Sequence, residues 1–504
     1  MTTTLDPRAL LDAGTRRFLD DVPGETAPPW LHSAPPDGVI TVLDPGTGTR
    51  IAELPATSAS GVDQAVQTAR QALADGRWSE ADADQREAIL LRLATLVERD
   101  AATLAQIEAL DTGKPLAQAE LDIAEAAMVI RYFAGWCTKV TGQTIAAPRR
   151  FAASTLVEPV GVCAAITPWN YPLPILLYKL APALAFGNTF VGKPSELAPL
   201  SAIYLAALCQ EAGVPEGVVN LVIGGPGTGA ALSRHPGLDK IAFTGSTRTG
   251  QAVMQAAAGN LTKVSLELGG KSPNIVFASA DLDAALTGVM EGIWTNAGQV
   301  CVAGSRLLAE ESIAEDFVDR LAEATARLTV GHGLTPGTDV GPVISRSQQR
   351  RAQDIVQRAL GAGGRAVTGG TAMDGPGFFM APTILTGLPA SSEAVTTEIF
   401  GPVLAVGTFG SEDKAVALAN RSEYGLAAGV WTSNGGQAQR IARQLRAGTI
   451  WVNTYGIFHP TLPFGGTKRS GFGRELGPSA VEQYTERKTV VEDITPLDIP
   501  AEGT

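Results

Sequence analysis

The chain of 504 residues, of which 45% are hydrophobic and 18% charged, is long enough for two or three domains with large apolar cores. Its formal net charge of −12 argues against nucleic acid or an anionic membrane as a partner, because phosphate groups would be repelled. Four widely separated cysteines in so long a chain do not make a disulfide framework and indicate a reducing compartment.

The amino-terminal part is predicted to be a loose leader followed by helices. Residues 1–37 are rich in proline, acidic and small residues, and residues 1–21 have no apolar stretch long enough for a signal peptide, which favours a cytoplasmic location. Three helical patterns follow between residues 62 and 134, and residues 111–115 separate the second pattern from the third.

From residue 160 onwards, short apolar strand patterns alternate with helical patterns. The strands of a first unit are predicted at 160–166, 189–192, 218–223 and 240–243, with 264–268 leading out of it. Those of a second unit are predicted at 274–277, 306–309, 429–432 and 448–452. Apolar strands that alternate with helices are typical of parallel sheets covered on both faces, so the predicted fold class is α/β with two doubly wound, Rossmann-like domains. The apolar run 173–186 is too short to span a bilayer, and Lys179 interrupts it.

Two segments belong to neither unit. Residues 138–155 and 485–493 alternate polar and apolar side chains, as exposed hairpin or edge strands do. An unpaired edge strand promotes aggregation and is usually covered by a partner. The alternative is a pair of surface hairpins on a monomer.

Three residues from different parts of the chain supply the groups that acyl chemistry needs. Cys301 offers a thiol that can attack a carbonyl carbon. Asn170 offers an amide that can stabilise an oxyanion, and Glu267 offers a carboxylate that can activate water. The remaining cysteines are interpreted as small buried apolar residues: Cys137, Cys163 and Cys209.

Seven short motifs accompany these three residues. They are Pro168-Trp169-Asn170, Lys193-Pro194-Ser195-Glu196, Phe243-Thr244-Gly245-Ser246, Glu267-Leu268-Gly269-Gly270, Gly298-Gln299-Val300-Cys301, Glu398-Ile399-Phe400-Gly401-Pro402 and Pro463-Phe464-Gly465-Gly466. In their order and separation the chain resembles the aldehyde dehydrogenase superfamily, from about residue 38 to residue 495. The resemblance implies oxidation of an aldehyde to a carboxylic acid through a thiohemiacetal and a thioester on Cys301. Because members that transfer the acyl group to coenzyme A typically lack the glutamate, Glu267 favours the hydrolytic branch.

The resemblance, together with the order of the elements, divides the chain into five parts. These are 1–137, the helical amino-terminal part of the cofactor-binding domain; 138–155, an oligomerisation hairpin; 156–266, the dinucleotide-binding unit; 267–470, the catalytic domain; and 471–504, a carboxy-terminal segment with an oligomerisation strand. The expected assembly is a homodimer or homotetramer that acts on a small-molecule aldehyde, with no nucleic acid, membrane or metal.

The cofactor site departs from the usual dinucleotide fingerprint Gly-x-Gly-x-x-Gly. The glycine cluster 225–229 has another spacing, and the cluster 245–250 lacks the lysine of a phosphate loop. Both clusters still lie between a strand and a helix, where backbone N–H groups can meet a pyrophosphate. The alternatives are that Ser246 only caps a helix and that Lys193 and Glu196 belong to a solvated loop.

The resemblance implies instead that Lys193 and Glu196 bind the adenine ribose. A carboxylate there repels a 2′-phosphate, so NAD is favoured over NADP as the cofactor, with NADP kept as the alternative. Glu398 is expected to hold the nicotinamide ribose, and Phe400 to pack beside the ring. The complete predicted cofactor set is Ile166, Thr167, Pro168, Trp169, Lys193, Ser195, Glu196, Gly225, Gly229, Phe243, Gly245, Ser246, Leu268, Gly269, Gln348, Glu398 and Phe400.

By the same resemblance, six aromatic residues line the tunnel to Cys301: Tyr171, Tyr178, Trp294, Tyr455, Phe458 and Phe464. Such a tunnel is wide and apolar, with no lysine or arginine for an anionic tail, which favours aliphatic or aromatic aldehydes over semialdehydes of dicarboxylic acids. The alternative is an amino- or betaine-type aldehyde. Aromatic faces attract cations, and residues 453–456 resemble part of the aromatic box of betaine aldehyde enzymes.

Two other classes of protein are remote alternatives. A cofactor-free thiol hydrolase would normally need a histidine base, and none of the four histidines lies in a motif: His32, His235, His332 and His459. A non-catalytic structural protein would tolerate the loss of Cys301 or Glu267, and both are present. Formation of NADH with a generic aldehyde separates a dehydrogenase from both classes.

Overall fold

The computed structural model describes residues 6–22, 28–32 and 36–495. The strands in these ranges are β1 Pro36–Leu43, β2 Arg50–Thr57, β3 Thr144–Ile145, β4 Phe151–Pro159, β5 Val162–Ile166, β6 Thr189–Lys193, β7 Val219–Leu221, β8 Lys240–Gly245, β9 Lys263–Leu268, β10 Pro273–Val276, β11 Arg306–Glu310, β12 Arg365–Thr368, β13 Thr383–Thr386, β14 Val403–Phe409, β15 Ala427–Trp431, β16 Thr449–Val452, β17 Gly471–Phe472 and β18 Thr485–Asp493. The α-helices are α1 Ala13–Asp21, α2 Ala59–Ala74, α3 Ala83–Arg99, α4 Ala101–Thr112, α5 Leu116–Ala134, α6 Pro172–Ala185, α7 Leu200–Ala212, α8 Pro226–Ser233, α9 Thr247–Ala258, α10 Leu282–Trp294, α11 Ala314–Ala326, α12 Arg346–Gly361, α13 Glu393–Thr396, α14 Glu412–Asn420, α15 Gly435–Gln444 and α16 Val481–Tyr484.

The amino-terminal region differs from its prediction in two places. The loose leader is wrong for residues 13–21, because Asp12 caps α1 and the helix buries Leu19 in the core. The rest of the predicted leader lies partly outside the described residues. Four helices, rather than three patterns, occupy 59–134, since the backbone at Asp100 ends α3 and begins α4. The predicted break at 111–115 is present: Gly113, at φ 83°, ends α4 in the left-handed conformation.

The first large sheet has the strand order β17-β9-β8-β5-β6-β7, and all its strands except β17 run parallel. The chain enters in the middle at β5, builds outwards to β7 and then returns to the other side of β5 with β8. In such a doubly wound sheet, ligands bind outside the carboxyl ends of the strands where the order reverses, here between β5 and β8.

The second large sheet has the order β12-β13-β14-β11-β10-β15-β16, and only β12 is antiparallel. The chain again enters in the middle, at β10. The predicted α/β class with two doubly wound sheets is thereby confirmed. Every residue of α6 is buried, so the apolar run 173–186 is an internal helix. In the described ranges, no helix is long and apolar enough to cross a membrane.

The two predicted edge segments pair with each other. β18 and β4 are antiparallel from Thr485 opposite Pro159 to Asp493 opposite Phe151, and the two-residue strand β3 adds to β4. This sheet has exposed apolar side chains, including Leu156 at 48% and Val491 at 60% of full exposure.

Candidate active site

A cavity of about 590 Å³ lies where the carboxyl ends of β5, β8 and β9 meet loops of the second sheet. Its wall contains all three predicted catalytic residues: Cys301, Glu267 and Asn170. It also contains nine of the predicted cofactor residues: Pro168, Trp169, Gly245, Ser246, Leu268, Gly269, Gln348, Glu398 and Phe400. The fold therefore brings together residues that are more than a hundred positions apart in the sequence.

Cys301 follows a tight turn with an uncommon backbone. Asn296, Ala297 and Gly298 have φ angles of 49°, 53° and 71°, and residues other than glycine rarely adopt such positive values. A Cβ atom on Gly298 would lie 2.3 Å from the carbonyl oxygen of Gly401, so only glycine fits there. The side chain of Gln118 accepts a hydrogen bond from the Asn296 N–H at 2.9 Å. This bond holds the strained turn in place, and the turn fixes the position of the thiol.

Asn170 is 2% exposed and is tied to the same turn. Its side-chain Nδ2 donates to the carbonyl oxygen of Gln299 at 2.9 Å, and its carbonyl oxygen accepts from the Asn296 side chain at 3.0 Å. The Gln299 side chain in turn accepts from the N–H of Ile344 at 2.8 Å. These bonds fix the orientation of the Asn170 amide beside the thiol.

The Cys301 thiol is protonated in its own surroundings. Burial, together with the carboxyl groups of Glu398 and Glu267, raises its pKa to about 12, against the N–H groups of Val302 and Cys301. Burial also raises the pKa of Cys137, Cys163 and Cys209 to about 12. Its polar neighbours, rather than its own acidity, therefore distinguish Cys301 from the other three thiols.

Glu267, at the end of β9, is a buried carboxyl group in direct reach of the cavity. It is 4% exposed, and neither side-chain oxygen has a hydrogen-bond partner in the described part of the chain. Burial raises its pKa well above the usual range, and Glu475 adds to this, while Lys179 and Arg474 oppose it. A Cβ atom on Gly465 would lie 2.8 Å from Oε1, so glycine allows the loop to approach this closely.

Sequence reasoning missed a buried network behind Glu267. The Lys179 Nζ in α6 is fully buried and donates to Glu475 at 2.5 Å and to the Thr244 hydroxyl at 2.8 Å. Backbone hydrogen bonds between Glu475 and Phe464 tie the network to the cavity wall. Lys179 was detectable as the only charge within an apolar helix, but nothing in the sequence pointed to Glu475.

The residues predicted for the nicotinamide end of the cofactor site contact one another and the nearby backbone. The rings of Trp169 and Phe400 pack edge to face, with centroids 5.2 Å apart. Gln348 donates to the carbonyl oxygens of Ile399 and Phe400 at 2.9 and 2.7 Å. Glu398 accepts from the Gly270 N–H at 3.0 Å, and burial raises its pKa to about 7.

The predicted adenosine end of the cofactor site lies along the neighbouring strand ends, beyond the lining of the cavity. Its predicted residues are Ile166, Thr167, Lys193, Ser195, Glu196, Gly225, Gly229 and Phe243. The Lys193 Nζ lies 3.6 Å from a Glu196 oxygen, and burial lowers its pKa. A Cβ atom added to Gly225 would have no other atom within 4 Å, so there is open space at the start of α8. Ser246 caps α9 by accepting from the Thr249 N–H at 3.3 Å.

Five of the six predicted substrate residues line the cavity: Tyr171, Tyr178, Tyr455, Phe458 and Phe464. Trp294 does not; it is 4% exposed and belongs to the hydrophobic core. The wall also holds α5 residues that were not predicted, at helical spacing: Gln118, Leu121, Asp122 and Glu125.

In the described ranges, no three His, Cys, Asp or Glu side chains could hold a metal ion. None of the four histidines lines the cavity.

Known proteins are similar to this chain over nearly its whole length. Residues 30–490 match the sequence profile of the aldehyde dehydrogenase family. The chain is similar to retinal dehydrogenase 2 of Mus musculus, with 44% identity over 456 residues, 90% of this chain and 88% of that protein. It is also similar to betaine aldehyde dehydrogenase of Bacillus subtilis, with 41% identity over 93% of this chain and 97% of that protein. A crystal structure of betaine aldehyde dehydrogenase from Staphylococcus aureus in complex with NAD+ superposes with a TM-score of 0.93 at 35% identity, covering 97% and 99% of the two chains.

Proposed function

The chain belongs to the aldehyde dehydrogenase family, and on that premise we propose that it oxidises an aldehyde to its carboxylic acid with NAD+ as the oxidant. The observation that carries the proposal is one cavity that holds the Cys301 thiol, the Asn170 amide and the Glu267 carboxyl beside the strand ends of a doubly wound sheet. The test is formation of NADH when the protein is given NAD+ and hexanal or phenylacetaldehyde. A protein that releases acid from an ester but never forms NADH would be a thiol hydrolase instead.

The residues fit a dinucleotide at three points. Open space at Gly225 and the capped start of α9 at Ser246 suit a pyrophosphate, whose charge the positive helix ends favour. The Lys193–Glu196 pair suits the adenine ribose hydroxyls, and Glu398 suits those of the second ribose. NAD+, when bound, supplies the acceptor for the hydride that the substrate carbon loses.

The chemistry of the protein's own groups begins at Cys301. The thiol gives up its proton to solvent water, its sulfur adds to the aldehyde carbon, and the oxyanion that forms accepts hydrogen bonds from the Asn170 amide and the Cys301 N–H. After loss of the hydride, the carbon is a thioester of Cys301. Glu267 then takes a proton from water, the resulting hydroxide adds to the thioester, and the C–S bond breaks to release the carboxylic acid.

Glu267 has the properties that this last step needs. A base acts best when its pKa lies near the working pH, and burial raises the pKa of Glu267 in that direction. The Lys179–Glu475–Thr244 network lies behind it, and the charges of Lys179 and Glu475 act on the pKa of Glu267 in opposite directions. Water is therefore the proposed acceptor of the acyl group.

The wall of the cavity supports an apolar aliphatic or aromatic aldehyde as substrate. Tyr171, Phe458 and Phe464 line the part of the cavity that we assign to the substrate. Ile457, at 54% of full exposure, lines the cavity as well. Of the basic residues in the described ranges, only Arg351 lines the cavity, and it donates to the Glu398 carbonyl on the cofactor side. A semialdehyde with an anionic tail would therefore find no cationic partner on the substrate side.

Removing the Glu196 carboxylate is expected to change the choice of cofactor. In Glu196→Ala, the KM for NAD+ should rise, and the preference for NAD+ over NADP+ should fall about tenfold, because a hydrogen-bond acceptor and a charge that repels the 2′-phosphate are both lost. The ratio of kcat/KM values for the two cofactors measures this. Glu211→Gln, on the surface of α7, is the matched control. An unchanged ratio in Glu196→Ala would place the discrimination elsewhere.

We also propose a homo-oligomer joined through the β18-β4-β3 sheet. On a monomer, the exposed edge of β18 and the apolar Val491 would promote aggregation. A second copy of the chain can cover both. Val491→Asp is expected to lower the mass measured by light scattering to that of one chain, 52.2 kDa. Met254→Asp, at an exposed apolar position on α9, should not do so. A wild-type protein of 52.2 kDa would contradict the proposal.

A further inference from the structure

Another, much smaller cavity lies beside the segment that joins β9 to β10. It is bounded by this segment, the start of β11, the end of α14 and the loop before β15, and it shares Leu426 with the active-site cavity. Its volume of about 10 Å³ suits one particle of the size of a water molecule. The cavity can therefore hold a water molecule or a monatomic ion, but no organic ligand.

The charged side chains around this cavity are all positive. Lys271, Arg306 and Arg446 line it, and no aspartate or glutamate of the described residues does. Burial and the charges of Arg306 and Arg446 lower the pKa of Lys468, so a fourth positive group lies within electrostatic range. This local excess of positive charge occurs in a chain whose net charge is −12.

The ammonium group of Lys271 is buried without a partner. Its side chain is 1% exposed, and Nζ has no hydrogen-bond partner in the described part of the chain. Three other fully buried lysines each donate to a side-chain oxygen: Lys114, Lys179 and Lys240. Because a buried ammonium without a partner is strongly destabilising, Lys271 calls for a compensating group that the protein itself does not provide.

Arg306, at the start of β11, places a second buried positive charge at the cavity. It is 3% exposed, and it donates to the carbonyl oxygens of Lys271, Leu418 and Ala419 at 2.9, 3.0 and 2.8 Å. A guanidinium group has five N–H donors, so these three bonds leave some of them free. The carbonyl oxygens fix the orientation of the guanidinium group but are neutral, so its charge is not compensated.

We propose that this cavity binds one monatomic monovalent anion, chloride, between the Lys271 ammonium and the Arg306 guanidinium groups. The anion would accept hydrogen bonds from Nζ and from a free N–H of Arg306, and its charge would compensate theirs. Phosphate and sulfate are too large for a cavity of about 10 Å³. The reaction proposed above does not use this site.

The Lys271 ammonium gives anion binding a characteristic pH dependence. Burial, together with the charge of Arg306, lowers the pKa of Lys271 to about 7, against the charge of Glu398. Lys271 is therefore charged below about pH 7 and neutral above it. Burial raises the pKa of Glu398 to about 7 as well, and its ionised form repels an anion. Both groups therefore make chloride bind more tightly as the pH falls through about 7.

The other titratable groups near the cavity do not produce this dependence. Burial lowers the pKa of Arg306 only to about 10, so its charge stays positive in this range. Burial raises the pKa of Tyr424, which also lines the cavity, so its hydroxyl group stays neutral. Arg446 and Lys468 are exposed, and dissolved ions screen their charges.

The test measures the unfolding temperature of the wild-type protein while sodium chloride replaces sodium gluconate at constant ionic strength, which keeps general screening unchanged. For a Kd of about 10 mM at about pH 6, about 200 mM chloride should raise the midpoint by about 2 °C in a chain of 504 residues. At about pH 8.5 the shift should fall below about 0.5 °C, because Lys271 is then neutral.

Lys271→Met keeps the length of the side chain and removes the charge. We expect it to abolish the chloride-dependent shift at the lower pH, whereas Lys414→Met, at an exposed position on α14, should keep that shift. Wild-type crystals soaked in sodium bromide give a second measurement that does not depend on the folding of a variant. Their anomalous difference map should show one bromide ion in contact with Nζ of Lys271.

Three results would overturn the inference. The first is a wild-type protein whose unfolding temperature does not respond to chloride. The second is an equal response in wild-type protein and Lys271→Met, which would place the chloride elsewhere. The third is a cavity that contains water and no bromide in the soaked crystals.

Discussion

Replacing Cys301 by alanine is expected to reduce aldehyde oxidation by about 10⁵-fold or more, since removal of a covalent nucleophile has effects of this size. Both NADH formation and any ester hydrolysis should disappear, because both need the same acyl-sulfur bond. The thiol lies in the cavity wall beside Glu267 and Asn170, and no other cysteine lines that cavity. Mass spectrometry after brief mixing should show an acylated wild-type protein and an unmodified variant.

The matched control is Cys209→Ala. Cys209 is 1% exposed in α7, and its pKa is raised by burial alone, so its loss should affect packing and not turnover. NAD+ affinity, measured by calorimetry, should be the same within about twofold in Cys301→Ala, because the residues proposed to bind the adenosine part belong to other strands. Substantial turnover in Cys301→Ala would show that another group attacks the aldehyde.

Local sequence patterns predicted those parts of the fold that depend on local chemistry. Apolar strands alternating with helices predicted both doubly wound sheets, because a parallel sheet must be covered on both faces. The break at 111–115 was also predictable, since Gly113 takes a left-handed conformation that ends a helix. The helix at Ala13–Asp21 was missed although Asp12 caps it, because it is short, lies among the proline and acidic residues of 1–37, and packs Leu19 into the core.

The candidate site divides in the same way. Cys301, Glu267 and Asn170 stand in short motifs and could be selected from the sequence. Glu475 could not be selected from the sequence, because it matters to the site only through its contact with Lys179, 296 positions away in the chain. The contribution of α5 to the cavity wall could not be predicted either, since only the fold brings Glu125 to the hydroxyl group of Tyr178. Trp294, close to Cys301 in sequence, is buried in the core and does not line the cavity, so its substrate role stays a prediction.

Replacing Glu267 by glutamine is expected to separate the two halves of the reaction. Formation of the thioester does not need the base that activates water, so a rapid burst of NADH should remain, equal to the number of sites. Steady turnover should then fall by about 10²–10⁴-fold, the usual contribution of a general base. Rapid-mixing kinetics measures both phases. Glu482→Gln, at an exposed carboxylate near the carboxy terminus, should keep both.

Loss of the burst along with the turnover would mean that Glu267 acts earlier, by deprotonating Cys301. The raised pKa of that thiol makes the distinction measurable by alkylation with iodoacetamide in the absence of aldehyde. If Glu267 serves only water, its negative charge opposes the thiolate, so Glu267→Gln lowers the pKa of Cys301 and alkylation below that pKa becomes faster. If Glu267 is the base for the thiol, the same substitution makes alkylation slower. The electrostatics of the site favour the first outcome, because the carboxyl groups of Glu398 and Glu267 both raise the pKa of Cys301.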